Sequence, residues 1–197
     1  IVDVTAEAGE TAHLVRLGND DRPASQVAFP VSASAARTPR AAPAALPPNS
    51  VSGLGSLADA RPLRLVMSGG AMGRMNSAVL GGERLGFRDL AARGRFWAFN
   101  DMAEMTQAPL ADLSLGERVR LEIVNETVFP HAMHLHGMHF REIRDGRPAG
   151  PMRDTLLVAA QETREIGFVA DNPGDWLFHC HMLSHAESGM MTWVRLT

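Results

Sequence analysis

Residues 174–190 read GDWLFHCHMLSHAESGM, a strand that turns into a short helix. Neighbouring side chains of a strand point to opposite faces, so Trp176, Phe178 and Cys180 share one face and Leu177, His179 and His181 the other. One face therefore carries a thiol and the other a pair of imidazoles. After His181 the run MLSHAES has modest helical propensity and Gly189 supplies a stop, which predicts a short helix that swings His185 back toward Cys180.

Cys180 is the only cysteine among 197 residues, so no disulfide forms within the chain, and a thiol among histidines reads as a ligand or a nucleophile. Two imidazoles, one thiolate and a weak axial thioether make the trigonal blue-copper arrangement. Cys180, His185 and Met190 supply three of those four donors, with Met191 as a competitor for the last. The second imidazole must come from elsewhere, and residues 131–136, HAMHLH, place His131 as the natural candidate. His134 and His136 share a face in that run, as do His179 and His181 in the other, and all four converge on a second metal centre. Side chains reaching opposite ways from one strand set the two centres on the order of 10 Å apart, joined through Cys180. A structural zinc site also uses Cys with His, but zinc prefers a closed tetrahedron and has no use for a Met five residues after a His. His13 and His139 lie outside the two clusters and read as surface or core histidines.

These stretches resemble the two carboxy-terminal copper motifs of the multicopper oxidases, the family of laccases and bacterial copper-efflux oxidases. The family pattern HPxHLHGH implies a type 1 ligand at His131, a type 2 ligand at His134 and a type 3 ligand at His136. The pattern HCHxxxHxxxxM implies His179 and His181 for the type 3 pair, with Cys180, His185 and Met190 for type 1 copper. Gly174, Asp175 and Trp176 match the usual lead-in. Two positions depart from the pattern. Ala132 stands where proline usually follows the first histidine, and Ala186, followed by Glu187, stands where some bacterial members carry an acidic residue that assists proton delivery. Met138 makes the first motif more similar to copper-resistance oxidases than to plant or fungal laccases.

The resemblance implies a laccase-like activity. A reductant, whether a phenol, an aromatic amine or a low-valent metal ion, gives single electrons to type 1 copper through His185. Each passes through Cys180 to His179 or His181, and dioxygen is reduced to water at a trinuclear cluster. The complete enzyme holds four copper ions, and its cluster takes eight imidazoles. This chain brings four, so the other four are expected from an amino-terminal fragment or chain. Three rivals are a blue-copper electron-transfer protein, which needs neither the HLH pair nor the flanking histidines, a copper nitrite reductase-like protein, which lacks the histidine after the cysteine, and a binding scaffold, which predicts lost ligands where this chain keeps every expected one. Relatives work outside the cytoplasm, which implies a periplasmic or secreted location.

A chain that is 45% hydrophobic and 21% charged is ordinary for a globular protein. A net charge of −3 gives no basic footprint for nucleic acid, and no window approaches the ~20 apolar residues of a membrane span. Residues 1–33 carry two or three short alternating runs, broken at Gly9 and at Gly18-Asn19-Asp20-Asp21, too few to close a sandwich. The resemblance implies that they are the last strands of a preceding cupredoxin domain. Residues 34–60, rich in Ala, Pro and Ser, read as a linker. Within 61–197, strand-like runs at 63–67, 95–99, 118–125, 131–140, 155–158, 163–169, 175–180 and 191–196 predict an all-β, cupredoxin-like Greek-key β-sandwich. A helix is expected within 86–94. Eleven methionines include the spaced pairs Met72/Met75 and Met102/Met105, read as core filler before copper(I) ligands. With no tyrosine in the chain, aromatic groups near the site are expected to be Trp176, Trp193 or phenylalanines.

Overall fold

The computed structural model describes residues 6–17, 22–32, 44–47, 53–70, 72 and 75–197. The expected turn at 18–21, the first five residues, most of the expected linker and the Gly73-Arg74 step between Met72 and Met75 lie outside the described residues. The chain divides into two units, Ile1–Asn49 and Ser50–Thr197. In the first, β1 (Thr11–Leu17) pairs antiparallel with β2 (Pro23–Pro30), and the register shifts between Leu14 and Val15.

The second unit holds β3 (Arg61–Gly69), β4 (Ser77–Leu80), β5 (Glu83–Gly86), α1 (Phe87–Ala92), β6 (Trp97–Phe99), β7 (Ala111–Leu113) and β8 (Arg118–Asn125). β9 (His131–Leu135), β10 (Phe140–Arg144), β11 (Arg147–Arg153), β12 (Thr155–Val158), β13 (Thr163–Val169), β14 (Gly174–Cys180), α2 (Leu183–Glu187) and β15 (Met191–Leu196) follow. Six strands order as β11-β10-β13-β8-β3-β6 and five as β12-β9-β14-β15-β7. The contacts β3–β8 and β15–β7 are parallel and the other pairings within these sheets antiparallel.

The sandwich closes because each sheet turns one row of mainly apolar side chains inward. In β8 the inward row is Val119, Leu121, Ile123 and Asn125, in β15 Thr192, Val194 and Leu196, and in β9 His131, Met133 and Leu135. Leu65, Phe140, Ile166 and Phe168 from the larger sheet meet Met133, Leu156, Val158, Phe178 and Cys180 from the smaller in one cluster. Removing a Phe or Leu side chain from water contributes about 1.5–3 kcal/mol, so this interlayer drives closure. Leu54 and Leu57, placed by sequence in the linker, are buried against Ile143 of β10.

The run 131–140, expected as one strand, is two. β9 ends at Leu135 in the five-stranded sheet, and β10 starts at Phe140 in the other. Gly137 sits between them at φ +72°, and a Cβ there would come within 2.1 Å of the Trp176 ring. The chain crosses between sheets at a point only glycine can occupy. The helix expected within 86–94 is α1, and the one expected after His181 is α2.

Candidate metal centre

The register of β9 and β14 sorts the chemistry onto two faces. Phe178 lies opposite Leu135, His179 opposite His134 and Cys180 opposite Met133. The pairing continues beyond both strands, since the His136 N–H donates to the Leu177 carbonyl and the His181 N–H to the Ala132 carbonyl. Residues directly opposite in an antiparallel pair share a face. Cys180, Met133 and His131 therefore face the core, while His134, His136, His179 and His181 face the other way, as the alternation in residues 175–181 predicted.

On the core face, Cys180 Sγ lies 3.7 Å from His131 Nδ1 and 3.8 Å from His185 Nδ1, and the two Nδ1 atoms are 3.2 Å apart. Cys180 and His131 are fully buried and His185 partly so. α2 carries His185 back over the end of β14 through its N–H to Met182 O bond, and the Met190 N–H returns to the His185 carbonyl. β14 pairs His179 with Met191, which sets Met191 on the His179 side. The Cys180 N–H donates to the Met190 carbonyl at 3.1 Å, so the same register sets Met190, with no exposed surface, on the Cys180 side.

The trio has the dimensions of a metal cage. Bonds of about 2.0 Å to nitrogen and about 2.3 Å to sulfur, 120° apart around one ion, separate N from N by about 3.5 Å and S from N by about 3.7 Å. Two imidazoles, a thiol and a buried thioether are also the donors that suit copper in both oxidation states. Without a cation the arrangement is electrostatically poor. Burial, reinforced by His185, pushes His131 down to about 4, and burial lowers His185 as well. Burial raises the Cys180 thiol, opposed by backbone N–H groups of Met182 and Ala132. A metal that displaces the thiol proton relieves this crowding of donors.

On the other face, His136 Nε2 and His179 Nε2 stand 2.9 Å apart. The His134 ring lies 4.5 Å from that of His136, 5.6 Å from that of His179 and 5.4 Å from that of His181. Second bonds orient these rings. His179 Nδ1 is 2.9 Å from the Cys180 carbonyl, and His134 Nδ1 is 3.0 Å from the Asp154 carbonyl. A carbonyl only accepts, so each Nδ1 carries the proton and each Nε2 is left with its lone pair. Burial lowers His136, and its histidine neighbours add to the effect. The bond from His179 to the Cys180 carbonyl also links the two clusters. Of the chain's eight histidines, the two outside these clusters are His13, bonded to Ser25 Oγ at 2.9 Å, and the exposed His139.

Two residues that the sequence did not flag stand against the buried trio. The Trp97 ring lies 4.6 Å from that of His185 and 5.0 Å from that of His131, and Thr127 Oγ1 lies 2.8 Å from His131 Nε2. Trp176 and Trp193, the expected aromatic neighbours, are elsewhere. Trp176 packs on Gly137, and Trp193 lies under the Arg195 guanidinium. Facing in a strand placed Trp176 on the right side of the sheet but at the wrong distance along it. Ala186 is buried in α2 and Glu187 is exposed, with its carbonyl bonded to Arg95.

The multicopper oxidase family model matches residues 83–197. Multicopper oxidase MmcO of Mycobacterium tuberculosis is 40% identical over 97 residues, covering 49% of this chain and 19% of that protein. Copper resistance protein A of Escherichia coli is 37% identical over 101 residues, covering 51% and 16%. The matched segment therefore spans about a fifth or less of the length of these relatives. Among solved structures, a multi-copper oxidase from Pseudomonas thermotolerans superposes with a TM-score of 0.71 at 27% identity, covering 97% of this chain and 41% of that one. Lac15 from a marine microbial metagenome gives 0.63 at 33% identity, covering 95% and 39%.

Proposed function

Because this chain belongs to the multicopper oxidase family, we propose that it contributes the electron-accepting copper site and half of the oxygen-reducing cluster of a laccase-like oxidase. The observation that carries the reading is one strand serving two clusters of side chains able to ligate metal. β14 places Cys180 in the buried trio and His179 in the imidazole cluster behind it, with His179 Nδ1 2.9 Å from the Cys180 carbonyl. His131, Cys180, His185 and Met190 would hold type 1 copper, His134 type 2 copper, and His136, His179 and His181 the type 3 pair. Copper bound there would supply a one-electron couple, the chemistry needed to match single-electron reductants to the four-electron, four-proton reduction of dioxygen to two waters.

The residues' own parts follow from where they sit. His185 alone of the trio reaches solvent, so it is the edge where a small phenol, an aromatic amine or a metal-ion substrate hands over an electron. Burial of Cys180 and His131 excludes water from the donors, and the carbonyl and ring bonds of His179 and His134 leave Nε2 of each turned to the cluster. The remaining four imidazoles would come from an amino-terminal portion or chain, to which residues 1–33 would belong as the end of a second cupredoxin domain, joined through the stretch from residue 34 to the start of the second unit at Ser50. A periplasmic or secreted location accords with this reading, and among the described residues no helix is long and apolar enough to cross a membrane.

The test is copper content per 197-residue chain in the purified protein, alongside a denaturing gel. About four coppers together with additional polypeptide, as a second band or a longer chain, are expected. About one copper and no further polypeptide would leave the blue site alone and replace the oxidase by an electron carrier.

A further inference from the structure

Thr127 is fully buried in the connection between β8 and β9, and every hydrogen-bonding site of its hydroxyl is taken. Oγ1 lies 3.0 Å from the Phe129 carbonyl, accepts the Phe129 N–H at 3.2 Å, and stands 2.8 Å from His131 Nε2. A hydroxyl has one proton to give and two lone pairs to receive with. The Phe129 carbonyl can only accept, so that proton goes to it. The lone pairs then take the Phe129 N–H and a proton on His131 Nε2. That leaves Nδ1 of His131 bare, directed at Cys180 Sγ and His185 Nδ1. The opposite assignment would put the His131 proton on Nδ1, between the donors a metal must reach.

The loop is built to hold this hydroxyl in place. Asn125, 2% exposed, accepts the Thr127 N–H on Oδ1 at 2.9 Å, and its Nδ2 donates to the carbonyls of Phe129 at 2.7 Å and Ala159 at 2.8 Å. Pro130 biases Phe129 toward an extended backbone, which sets the direction of the accepting carbonyl.

Resting on the reading of the buried trio as a copper site, we infer that Thr127 is a positioning residue. Its hydroxyl selects the Nε2–H tautomer of His131 and fixes the angle of that ring, so that Nδ1 is presented to the metal before the metal arrives. Partners of this kind on ligating histidines are worth roughly 10–100-fold in metal affinity.

The experiment compares wild type with Thr127→Val, which keeps the shape and removes the hydroxyl, and Thr127→Ser, which keeps the hydroxyl. Nitrogen NMR on the metal-free, labelled protein at neutral pH reads the tautomer directly. Wild type and Thr127→Ser are expected to carry the His131 proton on Nε2, and Thr127→Val to show both tautomers. Competition with a copper(I) chelator is expected to give roughly 10–100-fold weaker binding for Thr127→Val alone, with a shifted reduction potential and a weakened blue absorption band in the copper-loaded form. A wild-type proton on Nδ1 overturns the inference whether or not any variant folds. So does a Thr127→Val protein with unchanged tautomer and affinity, or a Thr127→Ser protein as impaired as Thr127→Val. Absence of a blue band in wild type with the expected tautomer would instead sink the copper reading and leave the ring geometry standing.

Discussion

At the scale of single residues, the site depends on a position with no side chain. Gly189 adopts φ +126°, and a Cβ there would come within 2.0 Å of the Trp97 carbonyl oxygen and 3.2 Å of that of Ala103. The closeness is fixed by hydrogen bonds, because the N–H groups of Phe96 and Trp97 both donate to the Ser188 carbonyl, at 3.0 and 3.1 Å. Gly189→Ala combines left-handed strain with a backbone clash and is expected to cost about 2–4 kcal/mol in denaturant unfolding. The same push separates Trp97 from His185 and disturbs Met190, so the blue band should weaken as well. An alanine variant of unchanged stability would mean that the 188–190 turn adapts freely. That the candidate donors cluster was legible in the sequence, because two short motifs carry them. Trp97 and Thr127 were not, since their place beside His131 comes from strand pairing and from a loop closed by Asn125, neither of which leaves a local spacing to read.

At the scale of elements, strands were legible where one face is apolar. The readings at 118–125, 155–158, 163–169 and 191–196 coincide with β8, β12, β13 and β15. The polar hairpin of β10 and β11 lacks that signal. Its one local mark, unread in the sequence analysis, is Asp145-Gly146, where both residues have positive φ, 50° and 72°, as a tight type I′ turn demands. Pro148 and Pro151 then suit the edge position of β11. What ties the two strands that carry the candidate ligands to the rest is less visible still. Asn125 sits at the inward end of β8 and bonds the 127–129 loop to the end of β12, with nothing apolar to announce it. Asn125→Ala leaves the Thr127 N–H and two carbonyls without these partners in a buried setting and is expected to cost about 2–4 kcal/mol. It removes no metal donor, so unfolding by urea should report the loss in metal-free protein. A cost below ~1 kcal/mol would show that water replaces the amide.

At the scale of the whole molecule, the clustered histidines set how the fold responds to acid. Burial lowers His131 to about 4, and His185 and His136 are lowered too, each from the ordinary 6.5 that holds in the unfolded chain. Between those limits the unfolded state binds more protons than the folded one, so stability is present above about 6.5 and is lost as pH falls toward about 4. Glu142 acts elsewhere on the scale. Its bonds to Arg144, with Arg164 on its other side, hold its carboxyl below the usual 4.5, so its share is lost only in more acidic solution. Urea unfolding of the metal-free protein at a series of pH values should therefore show stability falling through the histidine window. His131→Leu should reduce that slope by up to one proton, about 1.4 kcal/mol per pH unit. An unchanged slope in the leucine variant would place the acid sensitivity outside the buried trio. A bound ion occupies the Nδ1 lone pair that the proton needs, so the copper-loaded protein should resist acid across the same window until the metal is lost, and then fall onto the metal-free curve.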